Sequence, residues 1–467
     1  MIKKNIDSIV TQEFIITYGI IKRGELMLSN YLKYAIPSAF AMLISALYTI
    51  VDGMFVGQGV GDNALAAVNI VLPFTVMLVG IANMMAVGGG ALVSKNIGSK
   101  NIDKAVNIFR QVVKFLLIVS IAISILSVVF AEPIVKFLGA TDSLKSLAVD
   151  YLRYYALFCI PNLVGIALNS FVRNDNQPKL AMISTILGAI TNIILDYIFI
   201  FTFGLGIKGA AIATGLGQIV TVAILLPHFI KKKGNLTFKN VKIENDVIKD
   251  LLNIGFPSLL SQISYSVIVL IHNIIIVKTI GEIGVSAYSI LSYIGTNIYM
   301  VLFGLTLGTQ PLISYNFGKG DAETVIKYHK INCIAQIVTT GVFISVCFVF
   351  GKNIIGVFTN DPKVMEIAYI AVILGTVSYF LVGLNIATIV YYQAIEIPKL
   401  STIVCAFRSI IFLPIAFMIL IKVFGPNGIW GGTILSETLT FVSISLISSI
   451  KKSTNKSIDN VVITYIT

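Results

Sequence analysis

Two aspartates and an asparagine stand in apolar stretches of the first half of the chain, at spacings that bring polar side chains together. Asp52 follows Ser45 and Thr49 by seven and three residues, so the three share one face of a helix. Asn192 and Asp196 are four residues apart and project in one direction. A carboxyl group beside a neutral amide can take up a proton or Na+. The alternative is that both aspartates are hydrated at the edge of a membrane.

The second half of the chain does not repeat these carboxyl groups. At an offset of 220 residues, His272 stands where the first half has Asp52, and Ala416 stands where it has Asp196. A histidine titrates near neutral pH and is a candidate for proton binding. The alternative is a packed, hydrogen-bonded side chain. We therefore expect ion binding to belong to the first half.

Four other polar side chains lie in apolar stretches of the second half. Gln262 and Tyr265 share roughly one helical face with His272. Arg408 and Glu437 are predicted partners in a buried ion pair, which would satisfy both charges. Together with His272, these four residues are candidate contacts with a substrate or between the two halves. Glu437 is alternatively a contact for a cationic substrate.

Uncharged stretches long enough to cross a membrane recur along the chain. Of its 467 residues, 56% are hydrophobic and 12% are charged, against about 25% charged in a soluble domain. About 20 apolar residues in a helix cross a bilayer, and the alternating pattern of a β-barrel is absent. The predicted spans are 33–56, 64–94, 108–130, 150–172, 179–201, 208–230, 250–278, 285–311, 326–350, 366–391, 399–421 and 427–450.

The two halves resemble each other in sequence. Gly and Pro positions recur in order at loops and helix breaks, where chance similarity between apolar helices is not expected. The matching segments are 35–38 with 255–258, 96–101 with 316–321, and 177–179 with 397–399. Six spans in each half give both halves the same orientation, as in parallel-repeat transporters. The fold class predicted is an all-α polytopic membrane protein with twelve transmembrane helices in two six-helix, pseudo-symmetric lobes.

Basic residues set the predicted orientation. Most Lys and Arg lie before the first span and in the even-numbered connections, so the positive-inside rule places both termini in the cytoplasm. The predicted segments are an N-terminal cytoplasmic segment (1–30), an N-lobe (31–230), a basic linker (231–249), a C-lobe (250–450) and a cytoplasmic tail (451–467). The predicted location is the plasma membrane. The net charge of +12 is explained by this distribution, without nucleic-acid binding.

Several enzyme and cofactor classes lack their motifs. There is no Walker A sequence, no HExxH and no GxSxG. The GxGxxG match at 204–209 follows an apolar helix without a βαβ context. The four cysteines all fall inside predicted spans without a CxxC pair and are expected to pack there. We expect no enzyme activity and no cofactor beyond a coupling ion.

The first predicted helix, with the sequence IVDGMFVG at residues 50–57 after Pro37, resembles that of the MATE (multidrug and toxic compound extrusion) family. Residues 66–69, 96–98 and 209–214 resemble it too, as does the span with Asn192 and Asp196. The resemblance covers about residues 30 to 450. It implies two helical bundles around a V-shaped cleft, and export of drugs in exchange for H+ or Na+.

The resemblance also implies a cation site in the N-lobe. The family's first-helix Asp falls on Asp52, its Asn-x-x-x-Asp pair on Asn192 and Asp196, its sixth-helix Thr on Thr214, and a fourth-helix Asn on Asn169. The acidic C-lobe site of some members is not reproduced, so the chain is closest to the bacterial branch that works through the N-lobe.

The expected function is an antiporter that exports organic cations by alternating access, acting as a monomer in the lipid bilayer. One alternative is a flippase for lipid-linked precursors, which would need several basic residues in the spans of the first half. Another is a membrane receptor or scaffold that transports nothing.

Overall fold

The computed structural model describes the backbone of residues 2–238 and 245–454, and the side chains of residues 24–238 and 246–449. The predicted linker residues Lys239 and Lys242, and the predicted tail from residue 455 onward, lie outside these ranges. Within them the chain is helical and contains no strand.

The first half contains eight α-helices, and a π-helical turn at Ile198–Thr202 follows α7. The helices are α1 (Ile2–Gly59), α2 (Asp62–Gly98), α3 (Ile102–Val129), α4 (Ala131–Phe137), α5 (Asp142–Leu157), α6 (Cys159–Asn174), α7 (Pro178–Tyr197) and α8 (Gly206–Ile230).

The second half contains seven α-helices, with a π-helical turn at Phe407–Ile411 and a 3-10 segment at Gly425–Gly431. The helices are α9 (Asn245–Thr279), α10 (Glu282–Gly318), α11 (Ala322–Gly356), α12 (Pro362–Ala394), α13 (Pro398–Ala406), α14 (Phe412–Phe424) and α15 (Gly432–Thr454).

Ten helical stretches in the described residues are long and apolar enough to cross a membrane, and the bent pair α5–α6 makes eleven. This bent pair, residues 142–174, contains the span predicted at 150–172. The two helices meet at 53°, and Pro161 explains the break because it has no N–H to continue the helical hydrogen bonds.

The tenth stretch, 398–449, has 52 residues, about twice the length that one crossing needs. It doubles back on itself: the hydroxyl of Ser436 on α15 donates to the carbonyl of Arg408, 2.7 Å away. Gly425, with φ +63°, lies at the reversal, where glycine adopts the left-handed backbone without strain. The stretch therefore supplies two antiparallel crossings, and the predicted twelve spans are accounted for.

Helix boundaries confirm the internal repeat. The ends of α2 and α10, Gly98 and Gly318, are 220 residues apart. The first residues of α7 and α13, Pro178 and Pro398, have the same offset. The positive-φ residues Lys100 and Gly320 do as well, as do Asn176 and Glu396. The repeat is thus a repeat of backbone geometry as well as of sequence.

The two halves pack against each other through α1 on α10 and α2 on α9. A Cβ added to Gly88 of α2 would lie 2.5 Å from the carbonyl oxygen of Leu251, and one added to Gly308 of α10 would lie 2.5 Å from that of Tyr34. Side chains cannot fit at these approaches. We call this contact the inner seam: residues 34–39 against 304–308, and 84–88 against 251–255.

Polar contacts also join the halves near the inner seam. The amide of Gln310 on α10 donates to the carbonyl of Val87 on α2, at 2.9 Å. Lys95, near the end of α2, forms an ion pair with Glu396, which follows α12. The seam lies at the end of the molecule where α2 and α10 finish, which the sequence predicts to be the cytoplasmic end.

Candidate functional site

Asp52 on α1 and Asp196 on α7 meet in the first half. Their carboxyl groups lie within hydrogen-bonding reach of each other. Asp196 is 0% exposed, in a site that α1 and α7 form by packing along each other. Two carboxylates at this range repel each other strongly away from water, and a proton or a cation between them would relieve that repulsion.

The oxygens of this site have almost no donors. Both carboxylate oxygens of Asp196, Oδ1 of Asp52 and Oδ1 of Asn192 are buried and have no hydrogen-bond partner among the described residues. Unpaired buried acceptors are rare in proteins. Acceptor oxygens that lack donors are ligands that a proton or Na+ would satisfy. We call Asp52, Asn192, Asp196 and Thr214 the acidic site.

Thr214 reaches the acidic site from α8. Asn192 donates from Nδ2 to its hydroxyl oxygen at 3.4 Å. Two glycines allow this approach, because a Cβ on Gly188 would lie 2.9 Å from the carbonyl oxygen of Gly217, and one on Gly217 would lie 2.8 Å from that of Gly188. The close packing of α7 on α8 therefore positions Thr214 beside Asn192.

Asn169 lies apart from these four residues. Its Nδ2 donates to the carbonyl of Ala181 at 2.9 Å and to the hydroxyl of Thr185 at 3.1 Å. Thr185 precedes Asp196 by eleven residues on α7, about 16 Å along a helix. The structure thus gathers four of the five residues predicted for the N-lobe, and it places Asn169 nearer the inner end of α7.

Tyrosines that the sequence analysis did not single out surround the acidic site. Tyr48, Tyr151 and Tyr155 all lie close enough to Asp52 to interact with its charge. Asn162 donates from Nδ2 to the hydroxyl oxygen of Tyr155 at 2.6 Å. The signal that could have found them is the i,i+4 spacing of Tyr48 to Asp52 and of Tyr151 to Tyr155 on apolar helices.

His272, the counterpart of Asp52, is a packed side chain. Its Nδ1 lies 2.8 Å from the carbonyl oxygen of Ile268, and its Nε2 lies 3.3 Å from the hydroxyl of Thr433. The ring stacks on Tyr288 with centroids 4.9 Å apart. Both ring nitrogens thus have partners, in keeping with the packed alternative.

Arg408 and Glu437 form the predicted ion pair. Nε and Nη2 of Arg408 donate to Oε1 of Glu437 at 3.0 and 2.8 Å. Asn385 donates to Oε2 of Glu437 at 2.7 Å. Both carboxylate oxygens are therefore engaged, and Glu437 is not free to bind a cationic substrate.

The other two predicted residues of the second half lie on α9. Gln262 lines a small cavity that Arg408 also lines. The hydroxyl of Tyr265 lies 2.8 Å from the hydroxyl of Thr296.

The sequence matches the MatE family model twice, at residues 37–198 and 257–418, which together cover more than half of the chain. The second match begins and ends 220 residues after the first (257 − 37 and 418 − 198), the offset found in the helix boundaries. The family model therefore describes one lobe, and this chain contains two.

Curated relatives extend over most of the chain. It is 25% identical over 418 residues to the multidrug export protein MepA of Staphylococcus saprophyticus subsp. saprophyticus, covering 89% of this chain and 92% of the relative. It is 26% identical over 429 residues to MepA of Staphylococcus aureus (strain MRSA252), with the same coverage.

Solved structures share the fold. One is an outward-facing multidrug resistance MATE family transporter of the MOP superfamily (TM-score 0.86, 23% identity, 91% of this chain and 95% of that chain). Another is a MOP superfamily transporter from Pyrococcus furiosus, described as having a binding pocket of reverse polarity (TM-score 0.84, 22% identity, 91% and 95%). Both likenesses concern architecture, twelve helices in two lobes.

Proposed function

The chain belongs to the MatE family of membrane transporters, and from this premise we propose that it is a secondary active multidrug exporter driven by H+ or Na+ entry. The observation that carries the proposal is the acidic site, where four buried oxygens lack partners among the described residues. An ion that drives transport needs a binding site inside the membrane-spanning helices, and the acidic site offers one.

In the proposed cycle, the ion enters the acidic site and neutralises the repulsion between Asp52 and Asp196. The neutralised site allows α1 and α7 to pack differently, and this change is passed to the inner seam through α1, which contacts both α7 and α10. The seam then opens to the cytoplasm, the ion leaves the acidic site and an organic cation is taken up, and closure of the seam lets that cation leave on the opposite side. This proposed coupling is supported by the position of α1, because the same helix contributes Asp52 to the acidic site and residues 34–39 to the inner seam.

The experiment is dye efflux from proteoliposomes in which a pH gradient and a Na+ gradient are imposed separately. We expect one gradient to drive efflux, and Asp52→Asn and Asp196→Asn each to reduce that driven efflux at least about tenfold. Asp62→Asn is the matched control, because Asp62 is exposed at the start of α2. Efflux that persists in both site variants would contradict the coupling, and the absence of any driven flux would favour the receptor alternative.

A lipid flippase is the second candidate, and the observation that favours it is Arg173, a single basic residue where that function would need several. Arg173 as a whole residue is 6% exposed, and its Nη1 is buried without a partner in the described residues. A buried cation without a counter-ion favours an anionic ligand. The flippase predicts movement of an anionic fluorescent lipid that Arg173→Gln abolishes, whereas the exporter predicts dye efflux and no lipid movement.

A further inference from the structure

A series of polar groups leads from the acidic site along α7 toward the inner seam. One face of this helix carries residues at separations of three or four: Asp196, Asn192, Gly188 and Thr185. At Gly188, the hydroxyl of Thr221 on α8 occupies the space that a side chain would fill. The face therefore meets a polar group at each turn between the acidic site and the inner half of α7.

The series continues on α6. Asn169 donates from Nδ2 to the hydroxyl of Thr185 at 3.1 Å, so the polar faces of the two helices meet there. Arg173 follows Asn169 by four residues and lies on the same face of α6. Long helical side chains point back toward the preceding turn, which for Arg173 is the turn of Asn169. We call this series the polar row, and its members are Asp196, Asn192, Thr221, Thr185, Asn169 and Arg173.

Arg173 lies at the inner end of the polar row. The next residue, Asn174, accepts a hydrogen bond at 2.6 Å from the hydroxyl of Ser94, near the end of α2. Asn176, in the loop that follows, accepts one at 2.8 Å from the hydroxyl of Tyr34 on α1. These contacts place Arg173 beside the inner seam, between the acidic site and the predicted cytoplasmic side.

The charge of Arg173 is not neutralised locally. Among the described residues its guanidinium forms no ion pair, and its Nη1 is buried without a partner. The nearest carboxylate in the sequence, Asp175, lies 2.8 Å from Nε2 of His228 and accepts from the backbone N–H of Asn235, also at 2.8 Å. A buried charge of this kind acts on nearby ions more strongly than a charge in water does.

The second half, which lacks the acidic site, does not repeat the polar row. At the offset of 220 residues, apolar side chains replace the two amides and a neutral side chain replaces the arginine. The counterparts of Asn192, Asn169 and Arg173 are, in order, Phe412, Ile389 and Gln393. A polar row that ends in a buried cation therefore occurs in the half that has the ion site.

We propose that Arg173 is an electrostatic barrier that keeps the coupling ion from leaking along the polar row into the cytoplasm. This assignment rests on the proposed function, because it takes the acidic site to hold that ion. The oxygens of the row suit a proton or Na+, and the guanidinium at the inner end repels either ion. The ion then leaves the acidic site only when the two halves move, so ion entry stays coupled to export.

The test measures ion flux without substrate, in proteoliposomes that contain the full chain and are placed under the gradient that drives efflux. A trapped pH-sensitive or Na+-sensitive dye reports the flux. We expect Arg173→Gln to raise this uncoupled flux at least about tenfold, because the repulsion of two unit charges a few ångströms apart in a protein corresponds to such a factor or more. Arg173→Lys keeps the charge and should stay close to the wild-type flux.

Further variants separate the barrier from other effects. Arg173→Gln/Asp196→Asn should return the flux to the wild-type level, because the leak passes through the acidic site. Lys104→Gln removes an exposed positive charge from α3 and should leave the flux unchanged. The second half buries glutamine at the equivalent position, Gln393, so we expect the Arg173→Gln chain to fold. If it elutes as an aggregate, Arg173→Met replaces it, with the same increase expected.

Three results would overturn the barrier. They are an unchanged flux in a folded Arg173→Gln chain, a leak that persists in the double variant, and equal leaks in Arg173→Lys and Arg173→Gln. The proposed function is judged separately, by whether an imposed gradient drives dye efflux in the wild-type chain. Driven efflux together with an unchanged flux in Arg173→Gln contradicts only the barrier, whereas a wild-type chain that neither gradient drives contradicts both proposals.

Discussion

The carboxyl group of Asp196 is fully buried, and neither of its oxygens receives a hydrogen bond from the described residues. Burying a carboxylate in this way costs several kcal/mol unless a proton or a cation accompanies it. In the proposed function, an ion that binds and leaves offsets this cost. The four-residue spacing of Asn192 and Asp196 on one helix predicts that these two side chains lie together. The contact between Asp196 and Asp52 could not be predicted in this way, because it depends on how α1 packs against α7.

The first prediction concerns the thermal stability of this side chain. The coupling ion binds only the folded protein, so we expect the wild-type melting temperature in detergent to rise with ion concentration. At about 100 times Kd the ion contributes about 2.7 kcal/mol. Asp196→Asn should melt higher than wild type without the ion and should lose the ion-dependent rise. Melting curves at graded Na+ and pH measure both effects. Asp62→Asn should keep the wild-type dependence.

At the scale of the elements, the pair α7 and α8 determines whether Thr214 can reach Asn192. The pair approaches closely because Gly188 and Gly217 present no side chains. The pattern of apolar residues predicts that these two helices exist, but it does not predict how far apart they lie. That separation is fixed by the small residues at their crossing, as in other membrane helix pairs.

The second prediction follows from this crossing. Gly188→Ala places a Cβ 2.2 Å from Oγ1 of Thr221 and 2.9 Å from the carbonyl oxygen of Gly217. Thr221 can rotate, but the backbone carbonyl cannot, so α8 must move away and Thr214 with it. We expect ion-driven efflux to fall at least about tenfold.

Gly341→Ala on α11 is the matched control, since a Cβ there meets nothing within 4 Å. Alanine is favoured over glycine in a helix by about 1 kcal/mol, so this variant should melt at or above the wild-type temperature with normal efflux. Equal efflux in the two alanine variants would contradict the role of the α7–α8 crossing.

At the scale of the whole molecule, the inner seam and its polar contacts hold the two halves together at one end. The Lys95–Glu396 ion pair spans the halves where α2 finishes. Its side chains are 37% and 23% exposed, so the pair contributes about 1 kcal/mol or less. That is enough to change the ratio of two conformations by about fivefold.

The third prediction is that Lys95→Glu places two carboxylates together and shifts the molecule toward opening at the seam. The Lys95→Glu/Glu396→Lys double variant restores the opposite charges and should restore the wild-type distribution. Spin labels at Asp103 and Glu323, exposed counterparts in the first turns of α3 and α11, report the distance across the seam. Identical distance distributions in all three proteins would show that the ion pair does not bias the seam.

The sequence by itself determined the helical class, the recurring spans, the two similar halves and the residue types of the acidic site. These follow from local patterns: apolar runs long enough to cross a membrane, glycines and prolines at fixed offsets, and side chains three or four residues apart on one helix. Such signals are read from residue types and from their separation along the chain, so no knowledge of helix packing is needed to find them.

Only the tertiary structure decided which of these residues meet. It brought Asp52 to Asp196 across two helices, left Asn169 apart from them, and engaged both carboxylate oxygens of Glu437 with Arg408 and Asn385. The reason is that distances between helices depend on which side chains, or which glycines, lie at each crossing. A span pattern carries no such information.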